Sequence, residues 1–178
     1  YSGRGSKLME ADQTHADARA SMDLLMDRSL ALHQAGNPVE VLTVDNHCDG
    51  PYLYLRMLRE QRPGAAEALA MMRSVGGNAS GYGIACVSWA GTVYADQFWR
   101  HQPLGNIRER PFSAIMEDDG IELLRQLRHR GGLLEGRCGA CKWKDICNGN
   151  FRVRAEAATG RLWAPDPACY MTDKEIGL

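Results

Sequence analysis

The sequence predicts an α/β protein built in two parts, and three observations point to this class. The first third alternates helical patterns with a single β-branched run. The middle carries two short strand-like runs around a glycine turn, and a cysteine-rich loop follows near the C-terminus. One strand does not make a parallel sheet, so residues 1–76 are expected to be the C-terminal end of a larger α/β domain. Residues 77–178 are expected to form a small α+β domain.

In the first part, the apolar residues of Thr14–Gln34 recur at helical spacing, and a Gly-Asn-Pro turn follows them. Val39–Val44 is predicted to be a buried strand because β-branched residues dominate it. Tyr1–Gly5 is predicted to be a loop that continues from an earlier element. Two further helices are expected: Tyr52–Glu60 and Pro63–Gly76.

In the second part, residues 83–89 and 92–99 flank Ala90-Gly91 as a predicted β-hairpin. The short stretch 103–107 that follows is expected to be a turn. Pro111–Arg130 carries apolar residues at helical spacing and is expected to form one long helix. A last helix is expected after the cysteine loop: Phe151–Ala158.

Composition narrows the possible partners of the chain. Its 178 residues are 44% hydrophobic and 24% charged, with a formal net charge of −1. This near-neutral balance argues against nucleic acid or an anionic membrane surface as the main partner. No apolar run approaches the roughly 18 residues that a membrane span needs. A cytoplasmic protein with reduced cysteines is therefore expected.

Four cysteines near the C-terminus are the strongest chemical signal. Cys138, Cys141 and Cys147 form a C-x2-C-x5-C run, and Cys169 follows in the segment PDPACYMTD. Three thiols so close in sequence do not all pair with one another as disulfides, but they converge readily on one metal centre. Gly139 and Gly149 suit the tight turns that such a centre requires.

A disulfide framework and a structural zinc site also stay open for these cysteines on spacing alone. A disulfide framework is typical of small secreted domains that are much richer in cysteine than this chain. Structural zinc sites also begin with C-x2-C, but they usually repeat the pair, whereas here a lone distant Cys169 follows. Spacing favours an iron–sulfur cluster over zinc only modestly.

The order of these motifs resembles a known domain. A hairpin with Cys86 followed by Gly91-x-Val-Tyr, then Pro-Leu-Gly-Asn-Ile, then the cysteine pattern is similar to a SPASM (or twitch) domain. That domain is the C-terminal extension of radical S-adenosylmethionine (SAM) enzymes and binds auxiliary 4Fe–4S clusters. Arg154-Ala155, Thr159-Gly160, Leu162-Trp163 and residues 166–173 further resemble the radical SAM enzymes of haem d1 biosynthesis, the NirJ family.

The resemblance implies a fold and a ligand set. The fold is the C-terminal end of a radical SAM partial (β/α) barrel followed by a SPASM-type domain. One auxiliary 4Fe–4S cluster is implied on four thiolates: Cys138, Cys141, Cys147 and Cys169. Relatives with two auxiliary clusters have cysteines where this chain has Asp96 and Phe151, so Cys86 and Cys48 are expected to be plain buried thiols. In the alternative, Cys86 or Asp96 contacts substrate.

The chain has no C-x3-C-x2-C loop, the motif that binds the SAM-cleaving cluster. It is therefore expected to be part of a longer enzyme, inactive alone, with SAM and a second 4Fe–4S cluster present only in the full-length protein. The implied reaction is radical attack on propionate side chains of a sirohaem-derived tetrapyrrole, such as didecarboxysirohaem. A flavodoxin or ferredoxin is the implied electron donor. Alternatives are a haem synthase-like decarboxylase, a peptide-modifying SPASM enzyme and a non-catalytic four-cysteine zinc module.

A tetrapyrrole presents carboxylates around a flat apolar ring, so arginines and aromatic surfaces are its expected partners. Solvated surface charge and a structural turn are the alternative roles of the candidate residues. Two of the candidates follow the predicted strand, at an edge where α/β proteins often bind ligands. The candidates are Arg100, His101, Arg152, Arg154, Asn46 and His47.

Overall fold

The computed structural model describes residues 12–178, and the predicted loop Tyr1–Gly5 lies outside that range. Helices dominate this part of the chain, and one small antiparallel sheet accompanies them. This mixed content is consistent with the predicted α/β class. The helices are α1 His15–Gln34, α2 Asp49–Arg59, α3 Ala65–Val75, α4 Phe112–Met116, α5 Glu122–Arg128, α6 Gly136–Ala140, α7 Lys144–Cys147, α8 Arg152–Thr159 and α9 Asp173–Ile176. The strands are β1 Cys86–Val87, β2 Thr92–Tyr94 and β3 Gly105–Asn106.

The first predicted helix is confirmed as α1, and its start has a clear cause. Thr14 accepts a hydrogen bond from the backbone N–H of Asp17, and the Asp17 carboxylate accepts one from the backbone N–H of Thr14. This reciprocal capping box satisfies two donors that the helix leaves unpaired. The two following helices are also confirmed as α2 and α3, although α2 begins three residues earlier than expected.

The predicted strand Val39–Val44 is wrong for the described chain. The segment forms no strand, and its apolar side chains are exposed, with Leu42 at 80%. A strand needs a neighbour to take its backbone hydrogen bonds. No such neighbour lies beside this segment within residues 12–178. Sequence pattern alone does not reveal a missing partner.

The hairpin is confirmed as β1 and β2, with Val93 opposite Val87. The stretch 103–107, predicted to be only a turn, contributes a third strand, β3, which pairs with β2 through Gly105. Val93 at the centre is completely buried. The sheet therefore has the order β1-β2-β3, with β2 at its centre.

The single helix predicted over Pro111–Arg130 is wrong, because the chain forms α4 and α5 with a turn between them. Asp118 makes that turn by accepting the backbone N–H of Gly120 through its carboxylate. This is the side-chain-to-backbone bonding with which Asp competes against helix. The apolar spacing is still informative, because three of the four side chains that it marks are fully buried: Ile115, Leu124 and Leu127. The fourth, Ile121, is only half-buried.

The two halves of the chain share one core around the cysteine loop. Tyr52 of α2 packs edge-on against Tyr170, and both belong to a buried cluster that includes Cys141 and Trp143. Arg19 of α1 forms a two-fold ion pair with Glu175 of α9, with both N···O distances at 2.8 Å. None of the helices within residues 12–178 is long and apolar enough to cross a bilayer.

A candidate metal centre lined by five thiols

The four cysteines of the predicted ligand set line one small cavity. Cys138 lies in α6, Cys141 directly after it, Cys147 ends α7 and Cys169 comes from the segment before α9. Four short elements thus bring their sulfur atoms to a common space. The remaining lining comes from the following residues: Cys48, Arg137, Asn150, Pro165, Asp166 and Ile176.

Two glycines allow the chain to turn this tightly. A Cβ atom on Gly139 would stand 2.3 Å from the carbonyl oxygen of Leu134, so no side chain fits at position 139, directly after Cys138. Gly149 has a φ of +73°, and its neighbours Asn148 and Asn150 also adopt positive φ. Glycine and asparagine tolerate this left-handed backbone better than other residues. The chain therefore reverses sharply just after Cys147.

Cys48 is a fifth thiol at the same cavity, and the sequence does not mark it as a candidate ligand. The expectation of a plain buried thiol agrees with its exposure of only 3%. No spacing signal links it to the C-terminal cysteines, because it comes from the loop before α2. Only the fold places it beside Cys169.

The thiols differ in how easily they ionise. Burial raises the pKa of Cys147 to about 12 and also raises the pKa of Cys141. By contrast, the pKa of Cys169 is lowered to about 6, chiefly because the Cys48 thiol donates a hydrogen bond to it. The same hydrogen bond raises the pKa of Cys48. Cys48 and Cys169 are thus neighbours at the cavity wall, and each affects the ionisation of the other.

The loop before α2 is fastened to the cysteine loop by side-chain amides. Asn150 donates from Nδ2 to Asn46 Oδ1 at 2.6 Å and accepts the backbone N–H of His47 at 3.1 Å. Asn46 donates in turn to the carbonyl oxygen of Ala168, the residue before Cys169. The predicted substrate residues Asn46 and His47 therefore lie beside the cavity that the cysteines line.

An aromatic patch with a nearby cation adjoins this loop. The His47 ring lies 5.4 Å from the Phe151 ring, and Phe98 meets Phe151 edge-on at 5.8 Å. The Arg154 guanidinium lies 5.4 Å from the Phe151 ring and is held by the buried carboxylate of Asp166. Burial lowers the pKa of His47, and the charge of Arg154 lowers it further. Both effects favour the neutral form of the histidine.

The structure brings together only some of the predicted substrate residues. Asn46, His47 and Arg154 meet at the aromatic patch. Arg100 instead stacks 5.2 Å from the exposed Trp89 ring at the hairpin tip. His101 contacts the Glu156 carboxylate of α8 at 3.0 Å. For Arg100 and His101, substrate contact stays a prediction.

Arg152, Asp96 and Cys86 lie elsewhere. Arg152 is 1% exposed, and its guanidinium donates to backbone carbonyl oxygens. Asp96 is equally buried, and its carboxylate accepts hydrogen bonds from the Ser80 hydroxyl and the backbone N–H of Phe98. Cys86 pairs with Tyr94 in the sheet, away from the cavity. Contact of these three with substrate stays a prediction without support from their burial or position.

The chain is similar to three known synthases. The chain is 54% identical over 180 aligned residues to Fe-coproporphyrin III synthase from Methanosarcina barkeri, covering 99% of the chain and 45% of that protein. It is 39% identical to pre-heme d1 synthase from Dinoroseobacter shibae, over 99% of the chain and 44% of that protein. The chain is a homologue of enzymes of haem biosynthesis. A shorter region of 65 residues is 46% identical to AdoMet-dependent heme synthase from Methanosarcina barkeri, covering 36% of the chain and 18% of that protein.

The predicted resemblance to the radical SAM enzyme of haem d1 biosynthesis is confirmed, because pre-heme d1 synthase is one of these relatives. Almost the whole chain aligns with the first two relatives. It nevertheless spans less than half of the length of either one. No family model and no solved structure matches the chain.

Proposed function

We propose that the chain is the auxiliary-cluster part of a radical SAM enzyme that modifies an iron tetrapyrrole. The observation that carries this proposal is the convergence of the four motif cysteines on one cavity whose rim bears the aromatic patch of His47, Phe98 and Phe151. A metal site and a surface suited to a flat aromatic ring lie side by side. The names of the homologues support the same class of substrate.

The residues at the cavity fit a 4Fe–4S cluster. Four soft thiolate donors are the usual ligands of such clusters: Cys138, Cys141, Cys147 and Cys169. Within residues 12–178, no three His, Cys, Asp or Glu side chains lie close enough together to hold a single metal ion. A 4Fe–4S cluster takes one thiolate on each of its four irons, which matches the number of motif cysteines that line the cavity. The buried Nε–H of Arg152, which has no acceptor among the described residues, adds a donor suited to an anionic cluster.

When bound, such a cluster supplies one-electron chemistry. The chain's own residues hold and shield it. Trp143, Ile146 and Ile176 keep water from the cysteine side of the cavity, and each is less than 10% exposed. Arg137, anchored by Asp173 at 2.8 Å, adds positive charge to the cavity wall. These contacts orient the four thiolates and lower the local polarity, which are the protein's means of setting a cluster potential.

The higher identity to Fe-coproporphyrin III synthase, 54% against 39%, supports the route to Fe-coproporphyrin III over haem d1 as this enzyme's pathway. Attack on the propionates of a didecarboxysirohaem-like substrate on the way to haem d1 is the second candidate. In either case, we propose that the ring stacks on the Phe151 patch, where His47 is neutral and Arg154 brings positive charge near the substrate carboxylates. A flavodoxin or ferredoxin would reduce the cluster, and SAM would bind in the full-length enzyme.

The test begins with iron and acid-labile sulfide per chain after anaerobic reconstitution, beside the electron paramagnetic resonance (EPR) spectrum of the reduced sample. About four of each, with a reduced-cluster signal, is the expected result. Zinc without sulfide would instead establish the four-cysteine zinc module. Titration of the reconstituted full-length enzyme with didecarboxysirohaem, followed by absorbance, then tests the substrate class. Phe151→Ala should weaken binding at least several-fold, and Trp89→Ala at the hairpin tip is the control.

A further inference from the structure

Arg152 is a charged side chain buried in the protein interior, where a charge loses its hydration. It opens α8, next to the cysteine loop, and it is 1% exposed. Its Nη1 donates to the carbonyl oxygens of Ala164 at 2.7 Å and Leu162 at 3.3 Å, and its Nη2 donates to that of Gly149. The guanidinium is therefore fixed on two sides by backbone. A buried arginine of this kind normally has all of its donors satisfied.

One of its donors is not satisfied. Within residues 12–178, Arg152 Nε is the single buried side-chain nitrogen or oxygen atom that lacks a hydrogen-bond partner. A hydrogen bond left unmade at a buried polar atom destabilises the fold, so the open donor needs a physical cause. The thiols near the guanidinium supply such a cause.

The guanidinium is bound to the cysteine loop, because its Nη2 donates to the carbonyl oxygen of Gly149, which precedes the cavity-lining residue Asn150. Burial lowers the pKa of Arg152, and the charge of Cys138 is the largest effect that opposes it, followed by Asp166 and Cys147. Two predicted cluster ligands are thus close enough to act on this side chain. Asp166 is already engaged by Arg154, with N···O distances of 2.8 and 2.9 Å. The neighbouring groups that remain are the thiols of Cys138 and Cys147, on the side of the cavity.

Arg137, which lines the cavity, differs from Arg152 in its hydrogen bonds and its exposure. Arg137 donates from Nε to Asp173 at 2.8 Å and from Nη2 to the carbonyl oxygen of Met171 at 2.6 Å. Its side chain is 37% exposed. Arg137 therefore has a partner for its Nε and is partly neutralised, whereas among residues 12–178 Arg152 has neither an acceptor for its Nε nor a carboxylate partner.

We propose that Arg152 is a positioning residue that donates from Nε to a sulfur of the cluster held by Cys138 and Cys147, and thereby raises the reduction potential of that cluster. This inference rests on the proposed function. Reduction adds one electron from a flavodoxin- or ferredoxin-type donor, so it makes an anionic cluster more negative. A buried positive charge and a hydrogen bond to sulfur both favour that reduced state.

Pulsed EPR of protein labelled with ¹⁵N-arginine tests the contact directly. The reduced cluster in the reconstituted 178-residue chain should show a hyperfine coupling to ¹⁵N. Arg137→Lys should keep that coupling and Arg152→Lys should abolish it, since lysine carries no label. A four-iron cluster without ¹⁵N coupling, or with a coupling that only Arg137→Lys removes, overturns the role of Arg152 while the cluster proposal stands. A chain without iron and sulfide overturns both.

A redox titration followed by EPR gives the second readout. Arg152→Gln removes the charge and the donor, and its cluster should become reduced only at a more negative potential than the wild-type cluster. Arg161→Gln is the matched control, because Arg161 is 66% exposed and pairs with Glu135 at the surface. Equal potentials in wild type and Arg152→Gln would contradict the proposal. If Arg152→Gln does not fold, the ¹⁵N coupling in wild type and in Arg137→Lys still tests whether Arg152 contacts the cluster.

Discussion

The side-chain amides of Asn150 and Asn46 join two loops that lie far apart in sequence, with Nδ2 of Asn150 2.6 Å from Oδ1 of Asn46. Asn150 follows the last cysteine of the C-x2-C-x5-C run, and Asn46 lies in the loop before Cys48. This bond is one of several that hold the Cys48 loop against the cysteine cavity. It makes the geometry of the cavity depend on a residue from the first third of the chain.

Asn46→Ala should therefore destabilise the protein. The change removes the acceptor for Asn150 Nδ2 and the donor to the carbonyl oxygen of Ala168, and it leaves the Asn150 amide, which is 2% exposed, without that partner. The expected loss in the free energy of unfolding is about 1–3 kcal/mol, measured by urea denaturation. Asn37→Ala in the exposed turn after α1 is the control and should change little. Equal losses in the two variants would contradict the assigned role of Asn46.

Two Asp–Arg pairs near the cavity should differ sharply in their contribution to stability. The Asp166 side chain is fully buried and binds Arg154, whereas the Asp173 side chain is 68% exposed and binds Arg137. Asp166→Ala leaves Arg154 unpaired and also removes the acceptor for the backbone N–H of Phe151. We expect a loss of about 3–5 kcal/mol for Asp166→Ala. For Asp173→Ala we expect less than about 1 kcal/mol, since water screens the exposed pair. Thermal unfolding of both variants measures the contrast.

The cysteine centre is predictable from sequence only in part. Three of its thiols lie within one short run, and spacing alone indicates a shared metal. Cys48 gives no such signal, because only tertiary packing brings it to Cys169. The burial of Arg152 is equally hidden, since arginine is normally exposed and its sequence neighbours do not reveal the backbone carbonyls that surround it.

Errors in the fold have the same physical origin. Val39–Val44 has the composition of a buried strand, yet a strand exists only where another strand takes its hydrogen bonds. The break between α4 and α5 depends on one local bond from Asp118, which competes with an otherwise helical pattern. By contrast, α1 is predicted well because its spacing and its capping residues agree.

Glu175 should give the protein a measurable sensitivity to acid. The ion pair with Arg19 lowers the pKa of the Glu175 carboxyl to about 2. A carboxyl whose pKa is depressed in the folded state adds stability above its unfolded pKa. That stability is lost as pH falls from about 4.5 towards 2. The effect is at most roughly 3 kcal/mol.

Glu175→Gln tests this prediction, because glutamine keeps the hydrogen bond to the N–H of Thr172 but removes the charge. Wild type should lose more unfolding free energy than this variant between pH 5 and 2. The control, Asp119→Asn, alters an exposed ion pair and should follow the wild-type profile. Parallel pH profiles for wild type and Glu175→Gln would show that the pair contributes nothing.

Cys147 and Cys48 should differ in their importance for the cluster. Cys147→Ala removes one of the four motif ligands and should abolish stable iron binding after anaerobic reconstitution. Cys48→Ala removes a fifth thiol and should leave iron and sulfide per chain unchanged. Iron content read beside the reduced-state EPR signal checks both. Equal iron loss in the two variants would refute the assignment of the four ligands.

The contact between Cys48 and Cys169 leads to a sharper test of the same site. Cys48 lies beside Cys169 on the cavity wall, so its sulfur is placed to replace a missing fourth ligand. Cys169→Ala should therefore keep a substantial fraction of the cluster, with altered EPR line shape, whereas the double variant Cys48→Ala/Cys169→Ala should lose it. Cys86→Ala/Cys169→Ala is the matched control, because Cys86 lies in the sheet away from the cavity. It should behave like the single Cys169 variant. Complete iron loss in Cys169→Ala alone would show that Cys48 gives no rescue and that the site tolerates only its four motif thiolates.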